Sequence, residues 1–461
     1  MADGPQAVVL AAGRGTRMRS DVPKMLHPLA GRPMLLHVLD LAVAVSDRRP
    51  LVVIGRGQTA VADLISGTAD SVEQAEPRGT GDALRSVPAA SRSDGEVLVL
   101  SGDVPLLRID TVDALLQHHR DGAAACTLLT VVPDDPTGMG RILRDENGGV
   151  VAIVEDRDLE GAADAGGECN AGVYVFDGSR LWPALDGLTD ANAQGEYYLT
   201  DVVAMFDGDV ETLVAGDADE AMGINDRRQL AIAETVMRTR TLDTLMRDGV
   251  TIEDPATTYV DPAVRIGRDS VLLPMTLLRG TTRLGTGCVI GPMAQLRDVH
   301  AGDRVRIGAS ALEECELGDD VEIGHYDRVR PGSVVGDGVQ LGTHAELKNS
   351  RIGRGSRVSH FSCVLDSDVG EDVNVGAGTV TCNFDGVGKH RTVIGDGAFL
   401  GTDSILVAPV RIGARAYVAA GSVITSDVPD GALAVERGKQ RNVEGWAARR
   451  RSQAAVSEDG A

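Results

Sequence analysis

Apolar residues in the second half of this 461-residue chain recur at every sixth position. They form three in-phase series: Ile266, Leu272, Leu278, Leu284, Ile290 and Leu296; Leu317, Ile323, Val329, Val335, Leu341 and Leu347; and Ile394, Leu400, Leu406, Ile412, Val418 and Ile424. A six-residue period fits neither an α-helix nor an alternating strand. It fits one side of a triangular coil that turns its corner at a small residue, as in Ile323-Gly324.

Stacked coils of this kind bury a continuous aliphatic core that a single coil cannot bury. The period therefore predicts a left-handed parallel β-helix of hexapeptide repeats over about residues 266–424. The alternative is a run of ordinary short strands, and three series that keep the same period argue against it.

Composition limits the classes of partner and location. Apolar residues make up 43% of the chain and charged residues 25%, as in soluble globular proteins. The net charge of −23 argues against a nucleic-acid or anionic-membrane partner. No apolar run approaches the roughly 20 residues of a membrane span, and no signal-peptide pattern is visible. The six scattered cysteines are typical of reduced thiols, and we therefore expect a cytoplasmic protein.

The first half of the chain has a different pattern, in which apolar strands alternate with helical segments. Residues 7–11, 51–54 and 97–100 are predicted strands, and residues 35–45 have the apolar spacing of a helix. The alternation predicts an α/β, doubly wound, Rossmann-like sheet whose ligand lies beyond the carboxyl ends of the strands. We predict a sheet domain at residues 1–225, a helical linker at 226–247, and the β-helix domain at 248–461 with a flexible tail.

A glycine-rich loop follows the first predicted strand, in the string Leu10-Ala-Ala-Gly-Arg-Gly-Thr-Arg-Met18. Gly13 and Gly15 allow backbone N–H groups to approach a phosphate closely. Arg14, Arg17 and Lys24 add positive charge that suits a polyphosphate. A Gly-x-Gly taken alone is equally compatible with a tight turn between a strand and a helix.

Two oxygen-bearing side chains are candidates for holding a metal ion. Asp103 closes the third predicted strand, and Asn225 lies far from it in sequence. One carboxylate and one amide oxygen, together with phosphate oxygens and water, suit Mg²⁺. Taken alone, Asp103 could also be a helix cap and Asn225 a turn residue.

The loop string, followed by Pro23-Lys24, resembles the signature of sugar-phosphate nucleotidylyltransferases. Nearly the whole chain resembles the family of bifunctional N-acetylglucosamine-1-phosphate uridylyltransferases and glucosamine-1-phosphate N-acetyltransferases. The further matching strings are Asp135-Pro-Thr-Gly-Met-Gly-Arg141, Val154-Glu155, Asn170-Ala-Gly172 and Gly195-Glu-Tyr-Tyr-Leu-Thr-Asp201.

The resemblance implies a site for UDP-N-acetylglucosamine in the first domain, which would then be the pyrophosphorylase. It assigns Gln74, Gly79 and Thr80 to the uridine, and Gly140, Glu155 and Asn170 to the sugar. The full implied set is Leu10, Ala11, Ala12, Gly13, Lys24, Gln74, Gly79, Thr80, Ser101, Gly102, Asp103, Gly140, Glu155, Asn170 and Asn225. Each residue alone has an ordinary reading, such as a surface charge for Glu155 or a loop residue for Asn170.

The implied reaction joins UTP to N-acetylglucosamine 1-phosphate and releases pyrophosphate. The sugar phosphate is already an anionic nucleophile, so no general base is required. Catalysis then consists of positioning and of charge neutralisation by Mg²⁺, Arg17 and Lys24.

The β-helix also contains residues suited to acetyl transfer. An insertion interrupts the repeat at Cys382-Asn-Phe-Asp-Gly-Val-Gly-Lys-His-Arg391, and insertions in solenoids commonly build a binding face. Arg330 and Lys348 suit a sugar phosphate, and His360 suits a general base that deprotonates an amine. A histidine taken alone more often has a surface or structural role, and a hexapeptide coil alone does not establish a transferase.

The resemblance then implies a complete second site, made between the subunits of a homotrimer. It places Arg330, Lys348, Cys363 and Asn374 at glucosamine 1-phosphate and makes His360 the base. It assigns acetyl-CoA to Ala377, Asn383, Phe384, Lys389, Thr402, Ala420 and Arg437, with Asn383 and Lys389 also bordering the glucosamine. The co-substrates are acetyl-CoA and UTP, and the product UDP-N-acetylglucosamine serves the bacterial cell envelope.

Two positions depart from the family pattern. Where the family has a tyrosine three residues after the base, this chain has Cys363, and where it has Asn-Tyr in the inserted loop, this chain has Asn383-Phe384. Each lost hydroxyl removes a hydrogen bond worth about 0.5–1.5 kcal/mol. One alternative is thus a uridylyltransferase whose coil only oligomerises or acetylates a different amine. A non-catalytic scaffold would have no reason to keep the phosphate loop, Asp103 and Asn225 together.

Overall fold

A computed structural model of the chain describes residues 4–159, 167–192 and 194–458. The chain divides into two compact units, Met1–Thr241 and Leu242–Ala461. One helix, α7 (Arg227–Arg247), carries the chain from the first unit into the second. In α7, Ala233 packs with the first unit and Leu242 packs in the core of the second. The domain boundaries at residues 225 and 248 stay predictions.

The first unit is built from strands and helices in alternation. Its strands are β1 Gln6–Leu10, β2 Pro28–Leu29, β3 Arg32–Pro33, β4 Leu51–Gly55, β5 Asp70–Gln74, β6 Glu96–Ser101, β7 Cys126–Val131, β8 Arg141–Arg144, β9 Val150–Val154, β10 Cys169–Asp177 and β11 Val210–Val214. Its helices before α7 are α1 Met34–Val45, α2 Thr59–Ile65, α3 Thr80–Arg85, α4 Ile109–Gly122, α5 Gly178–Asp186 and α6 Asp201–Ala204. Short 3₁₀ turns lie at Thr16–Met18, Lys24–Leu26, Ala89–Ser91, Asp156–Asp158 and Ala218–Ala221.

The main sheet has the strand order β11-β7-β10-β6-β1-β4-β5. From β1 the chain first moves outward through β4 and β5, and it then returns to β6 on the other side of β1. The switch point therefore lies between β1 and β6, which are parallel and pair Leu10 with Ser101. Crevices for ligands form at such points, and the predicted doubly wound α/β sheet is confirmed.

An antiparallel excursion interrupts the parallel order, and the strand pattern did not predict it. Strand β10 runs antiparallel to both β6 and β7, and β8 pairs with β9 and with β10. The register pairs Arg141 with Val154 and with Cys169. The chain neighbours of Arg141, Val154 and Cys169 therefore lie close together, although they are far apart in sequence.

The second unit is a left-handed parallel β-helix with three flat faces, as predicted. Face A consists of Thr251–Ile252, Val271–Leu272, Val289–Ile290, Arg306–Ile307, Glu322–Ile323, Gln340–Leu341, Arg357–Val358, Asn374–Val375, Phe399–Leu400, Tyr417–Val418 and Leu433–Ala434. Face B consists of Tyr259–Val260, Leu277–Arg279, Gln295–Arg297, Ala311–Glu313, Arg328–Val329, Glu346–Lys348, Cys363–Leu365, Val380–Cys382, Ile405–Val407 and Val423–Ile424. Face C consists of Arg265–Ile266, Arg283–Leu284, His300–Ala301, Glu316–Leu317, Val334–Val335, Arg351–Ile352, Ser367–Val369, Thr392–Ile394 and Val410–Ile412.

Every residue of the predicted series except Ile266 lies in the buried core of the coil, but the coil is longer than the series. It begins at Thr251 and continues to Ala434. Between the first two series, three sides contain five residues rather than six, namely those from Leu296 to Ala301, from Ile307 to Leu312 and from Leu312 to Leu317, so the sequence phase slips. The strands stay in register across these sides, with Ile290 opposite Ile307.

The C-terminal residues form helix α8, Trp446–Glu458. Ala and Arg, both good helix formers, supply most of its first turns. The predicted flexibility of the tail stays a prediction. Among the helices that the structure describes, none combines the length and the apolar character needed to cross a bilayer.

Candidate functional sites

The glycine-rich loop leaves the carboxyl end of β1 and packs against Lys24. Gly15 has φ 62°, and a Cβ at this position would lie 2.5 Å from Cβ of Lys24. Both the backbone conformation and the close approach therefore require glycine at 15. At Gly13, a Cβ would meet no described atom within 4 Å. The space beside Gly13 is open, as a loop that receives a phosphate requires.

Lys24 joins the two predicted metal ligands. Its Nζ donates to Oδ2 of Asp103 at 2.6 Å and to Oδ1 of Asn225 at 3.0 Å. Arg17 donates from Nη2 to the same Asn225 oxygen at 2.8 Å. Lys24 is only 6% exposed, so its ammonium is held in place rather than free in solvent. The oxygens of Asp103 and Asn225 thus converge on one cation, as two ligands of the same metal ion would have to do.

The remaining loop residues border the same point of the sheet. Ala11 extends the ladder by donating its N–H to Val53 O at 2.8 Å, and Gly102 donates to Leu10 O at 2.9 Å. Ala12 follows in the chain and is half-buried. Ser101 donates from Oγ to Gly172 O at 3.0 Å. The predicted residues of β1 and β6 therefore meet at the switch point.

The predicted uridine contacts form one connected corner. Gln74, at the end of β5, donates from Nε2 to Gly79 O at 3.2 Å and to Asp82 Oδ2 at 2.9 Å. Gly79 has φ 110°, and a Cβ there would lie 2.4 Å from Tyr197 O. Thr80 accepts the N–H of Leu199 on Oγ1 at 3.0 Å. The structure thus brings Gln74, Gly79 and Thr80 together.

The predicted sugar contacts converge through the antiparallel excursion. Gly140 precedes Arg141, Glu155 follows Val154, and the N–H of Asn170 donates to Gly140 O at 2.9 Å. The amide of Asn170 is fixed, because Oδ1 accepts Gly172 N–H at 3.0 Å and Nδ2 donates to Tyr174 Oη at 2.6 Å.

Thr200 is a contact of this site that the sequence reasoning missed. Its Oγ1 donates to Oε1 of Glu155 at 3.0 Å. Burial raises the pKa of Glu155, and the Thr200 hydrogen bond opposes that rise. The signal was available, since Thr200 lies in the matching string at residues 195–201, but no role was assigned to it.

Four predicted residues of the coil stack at one corner, between faces A and B. His360, Ala377, Thr402 and Ala420 each lie two residues after a face-A core residue, in consecutive coils whose strands are in register. Arg437 is exposed and donates from Nη1 to Ala420 O at 3.0 Å. These five residues therefore form a continuous line along the coil.

The ring of His360 is held by the previous coil. Thr343 donates its N–H to Nδ1 at 3.0 Å, so the neutral ring carries its hydrogen on Nε2. His325 lies at the same corner and accepts Ala309 N–H on Nδ1 at 3.1 Å. To act as a base, His360 must therefore do one of two things. It can release Thr343 from Nδ1 and accept the amine proton there, or it can move its hydrogen from Nε2 to Nδ1 and accept the proton on Nε2.

Three cations gather on face B and the inserted loop. Arg330 follows one strand of face B, Lys348 ends the next, and Lys389 comes from the loop at residues 383–391. The Lys389 ammonium, and then the Arg330 guanidinium, lower the pKa of Lys348. Cations crowded closely enough to disfavour one another's charge suit a phosphate monoester.

Two carboxylates that the sequence reasoning did not assign organise this cluster. Glu346 accepts a hydrogen bond from Arg330 Nη1 at 3.0 Å. Asp366 accepts hydrogen bonds from Asn349 and Asn383. Burial works to raise the pKa of Asp366, but those two bonds, with Lys389 and Lys348, lower it overall. Acidic residues are common at the corners of this coil, so no sequence signal distinguished Asp366.

Two of the remaining predicted residues lie near the cations and one does not. Cys363 is on face B opposite Glu346, and Phe384 projects from the loop with 60% of its surface exposed. Asn374 points outward from face A, in register with Arg357. Because outward directions diverge between two faces of a triangular coil, one chain does not bring Asn374 and Lys348 to a common ligand.

The corner between faces A and B also carries an exposed aromatic stripe, formed by Met275, Met293, Tyr326, His344 and Phe361. All five have positive φ, between 58° and 63°. At the other two corners this conformation is taken by Gly, Asp, Asn, Arg and Glu, as at Asp320, Gly338 and Asn349. Neighbouring rings are in contact: His344 and Phe361 are stacked with centroids 4.9 Å apart, and Tyr326 and His344 are tilted with centroids 5.2 Å apart.

Fold and sites together define a nucleotidyltransferase domain joined to a hexapeptide-repeat transferase domain. The model of the MobA-like NTP transferase domain matches residues 7–196, and the model of the bacterial transferase hexapeptide (six repeats) matches residues 391–426. The chain is 46% identical to the bifunctional protein GlmU of Heliobacterium modesticaldum over 96% of this chain and 98% of that protein. It is 45% identical to the GlmU of Brevibacillus brevis, over 95% of each chain. The chain belongs to the family of bifunctional GlmU proteins.

Proposed function

We propose that the chain catalyses two consecutive reactions of UDP-N-acetylglucosamine synthesis. The coil N-acetylates glucosamine 1-phosphate with acetyl-CoA. The first unit then transfers uridylyl from UTP to the N-acetylglucosamine 1-phosphate and releases pyrophosphate. The observation that carries the uridylyl step is the convergence of Arg17, Lys24, Asp103 and Asn225 at the switch point of the sheet.

The first unit acts by orientation and charge. Glu155 accepts hydrogen bonds from sugar hydroxyls and Asn170 binds the sugar through its amide, while Gln74, Gly79 and Thr80 hold the base. Asp103 and Asn225 would hold Mg²⁺, since their oxygens already converge on an ammonium and this donor pair suits that ion. The ion supplies charge neutralisation on the leaving pyrophosphate. Among the residues described, no group of three or more His, Cys, Asp or Glu offers another metal site.

The coil acts on an amine and a thioester. Arg330, Lys348 and Lys389 hold the phosphate of glucosamine 1-phosphate, and acetyl-CoA runs along the corner from Ala377 to Arg437. His360 takes a proton from the amine as the new C–N bond forms and the C–S bond breaks, and CoA leaves as the thiolate.

A homotrimer completes the coil site. Asn374 lies on a different face from the cations, so a second copy must supply one side of the site. The aromatic stripe supports such contacts, since Tyr326 and Phe361 are 63% and 64% exposed in one chain and exposed apolar patches mark interaction surfaces. The stripe includes Phe361, next to His360, so a copy packed on it lies beside the predicted base.

The cytoplasm is the proposed location. UTP and acetyl-CoA are intracellular co-substrates, and all six cysteines are free thiols, as reducing compartments favour.

Two assays on the purified chain test the proposal. One measures CoA release from acetyl-CoA and glucosamine 1-phosphate, and the other measures pyrophosphate release from UTP and N-acetylglucosamine 1-phosphate with Mg²⁺. Activity in both is expected. Pyrophosphate without CoA release would reduce the coil to an oligomerising element or direct it to another amine, and absence of both would refute the proposal.

A further inference from the structure

One matching string of the first unit remains without a role. It covers residues 195–201, Gly195-Glu-Tyr-Tyr-Leu-Thr-Asp201, from the loop after α5 to the first residue of α6. We refer to it as the bridging segment. Its residues contact both the loop that holds the predicted uridine contacts and the carboxylate of the predicted sugar contact.

The segment is bound to the uridine loop by backbone hydrogen bonds. Tyr197 donates its N–H to Arg78 O at 2.7 Å and accepts Gly81 N–H on its own O at 2.8 Å. Two residues later, Leu199 donates its N–H to Thr80 Oγ1 at 3.0 Å. The guanidinium of Arg85 lies 4.6 Å from the centroid of the Tyr197 ring. The segment and the loop therefore form one fixed unit.

The next residue reaches the sugar end. Thr200 is 4% exposed, and its hydroxyl donates to Glu155 Oε1 at 3.0 Å. Thr200 binds one oxygen, Oε1, and leaves Oε2 to accept a sugar hydroxyl. The bond also favours the charged form of a carboxylate whose burial disfavours it.

We propose that Thr200 is a positioning residue for Glu155, and that the bridging segment sets this carboxylate at a fixed place relative to the nucleotide loop. This inference rests on the proposed function of the first unit. The segment links residues that are 119 positions apart (Thr80 and Leu199) and 45 positions apart (Glu155 and Thr200).

Three variants test the proposal: Thr200→Val, Thr200→Ser and Thr127→Val. Thr127 is a matched control, because it is fully buried in the same unit and its hydroxyl contacts His119 rather than a predicted site residue. Thr200→Val should raise the KM for N-acetylglucosamine 1-phosphate about tenfold, as expected for a lost hydrogen bond to a charged group. The KM for UTP should change less than about twofold, since the backbone bonds to the loop remain.

The pH profile gives a readout that a general loss of stability would not produce. Removing the Thr200 bond leaves burial unopposed, so the pKa of Glu155 rises further. The acid limb of pyrophosphate release at limiting sugar phosphate should then move to higher pH in Thr200→Val. Thr200→Ser keeps the hydroxyl and should restore both the KM and the acid limb.

The outcomes separate the inference from the function on which it rests. Wild-type protein without pyrophosphate release overturns the proposed function and this inference with it. Active wild type, with Thr200→Val matching Thr127→Val in KM and pH profile, overturns the positioning role alone. The same holds if Thr200→Ser behaves like Thr200→Val.

Discussion

In the first unit the predicted ligand-binding residues face one another within one chain, whereas in the coil they are spread over the outside of a convex surface. A parallel sheet collects the ends of its strands at one edge, so Lys24, Asp103 and Asn225 meet although more than a hundred residues separate some of them. A triangular coil directs its aliphatic side chains inward and its functional side chains outward. Lys348 and Asn374 therefore diverge, and the proposed acetylation site needs a second copy to bring the two residue types together.

The largest expected effects come from removing one central residue of each site. Asp103→Ala should lower uridylyl transfer by about 10³-fold or more and leave acetylation unchanged. His360→Ala should lower acetylation by about 10²–10⁴-fold and leave uridylyl transfer unchanged. The CoA and pyrophosphate assays measure both.

His325→Ala is the matched control for His360→Ala, because both rings accept a backbone N–H at the same corner. Loss of acetylation in His325→Ala as well would mean that His360 has only the structural role. Loss of both activities in a well-folded variant at either site would show that the two sites are not independent.

The aromatic stripe and another corner of the coil should respond differently to an added carboxylate. Tyr326→Glu places a charge in the proposed contact between copies, and a buried unpaired charge is strongly unfavourable. We expect a smaller particle by analytical ultracentrifugation and roughly 10²-fold less acetylation, with uridylyl transfer retained. Arg415→Glu introduces the same side chain at a positive-φ position of another corner and should change neither property. An unchanged sedimentation coefficient in Tyr326→Glu would exclude the stripe as the contact.

Two carboxylates, Asp103 of the sheet and Asp327 of the coil, differ in how their charge is compensated. Asp103 is neutralised by Lys24, but Asp327, 2% exposed in the coil, has no hydrogen-bond partner for Oδ2 among the described residues. Burial raises the pKa of Asp327 to about 6. As pH rises from about 4 to about 6, the unfolded chain releases this proton while the folded chain keeps it, so stability falls and then stays constant.

Asp327→Ser should therefore stabilise the coil by about 1–3 kcal/mol at pH 8, and the gain should vanish near pH 4. Serine fits this position, because Ser310 occupies the equivalent position in the preceding coil. There its Oγ accepts an N–H from the following coil, that of Asp327, at 2.9 Å. Urea unfolding of both proteins at the two pH values measures the difference. An equal gain at both values would assign it to packing rather than to ionisation.

The smallest expected effect concerns the missing hydroxyl at Cys363. Cys363→Tyr should raise acetylation of glucosamine 1-phosphate a few-fold, in line with one added hydrogen bond. Steady-state kinetics of CoA release measures the change. A rate equal to that of wild type would mean that the acceptor site does not depend on this hydroxyl.

The sequence predicted those features that repeat or that lie at strand ends. The six-residue period predicted the coil and part of its core, and the glycine loop and Asp103 marked the switch point of the sheet. At its two ends the coil departs from the six-residue period, with eight residues from Ile252 to Val260 and ten from Ile424 to Ala434, so the predicted series stop short of both ends.

Contacts that depend on the path of the chain could not be predicted from periodicity. The bond between Thr200 and Glu155 exists because the antiparallel excursion returns the chain to the sheet, and no local pattern encodes that return. The aromatic stripe was equally hidden, because its residues take a positive φ that the sequence gives no reason to expect of Met, Tyr or Phe.

Mixing two inactive variants tests directly whether the coil site is shared between copies. Lys348→Ala and Asn374→Ala should each abolish acetylation as homotrimers. If one copy supplies Lys348 and its neighbour Asn374, coexpressed mixed trimers should recover about a quarter of the wild-type activity, since about one interface in four keeps both residues. If both residues act from the same chain, every site in the mixture carries a lesion, and the mixed trimers would remain inactive.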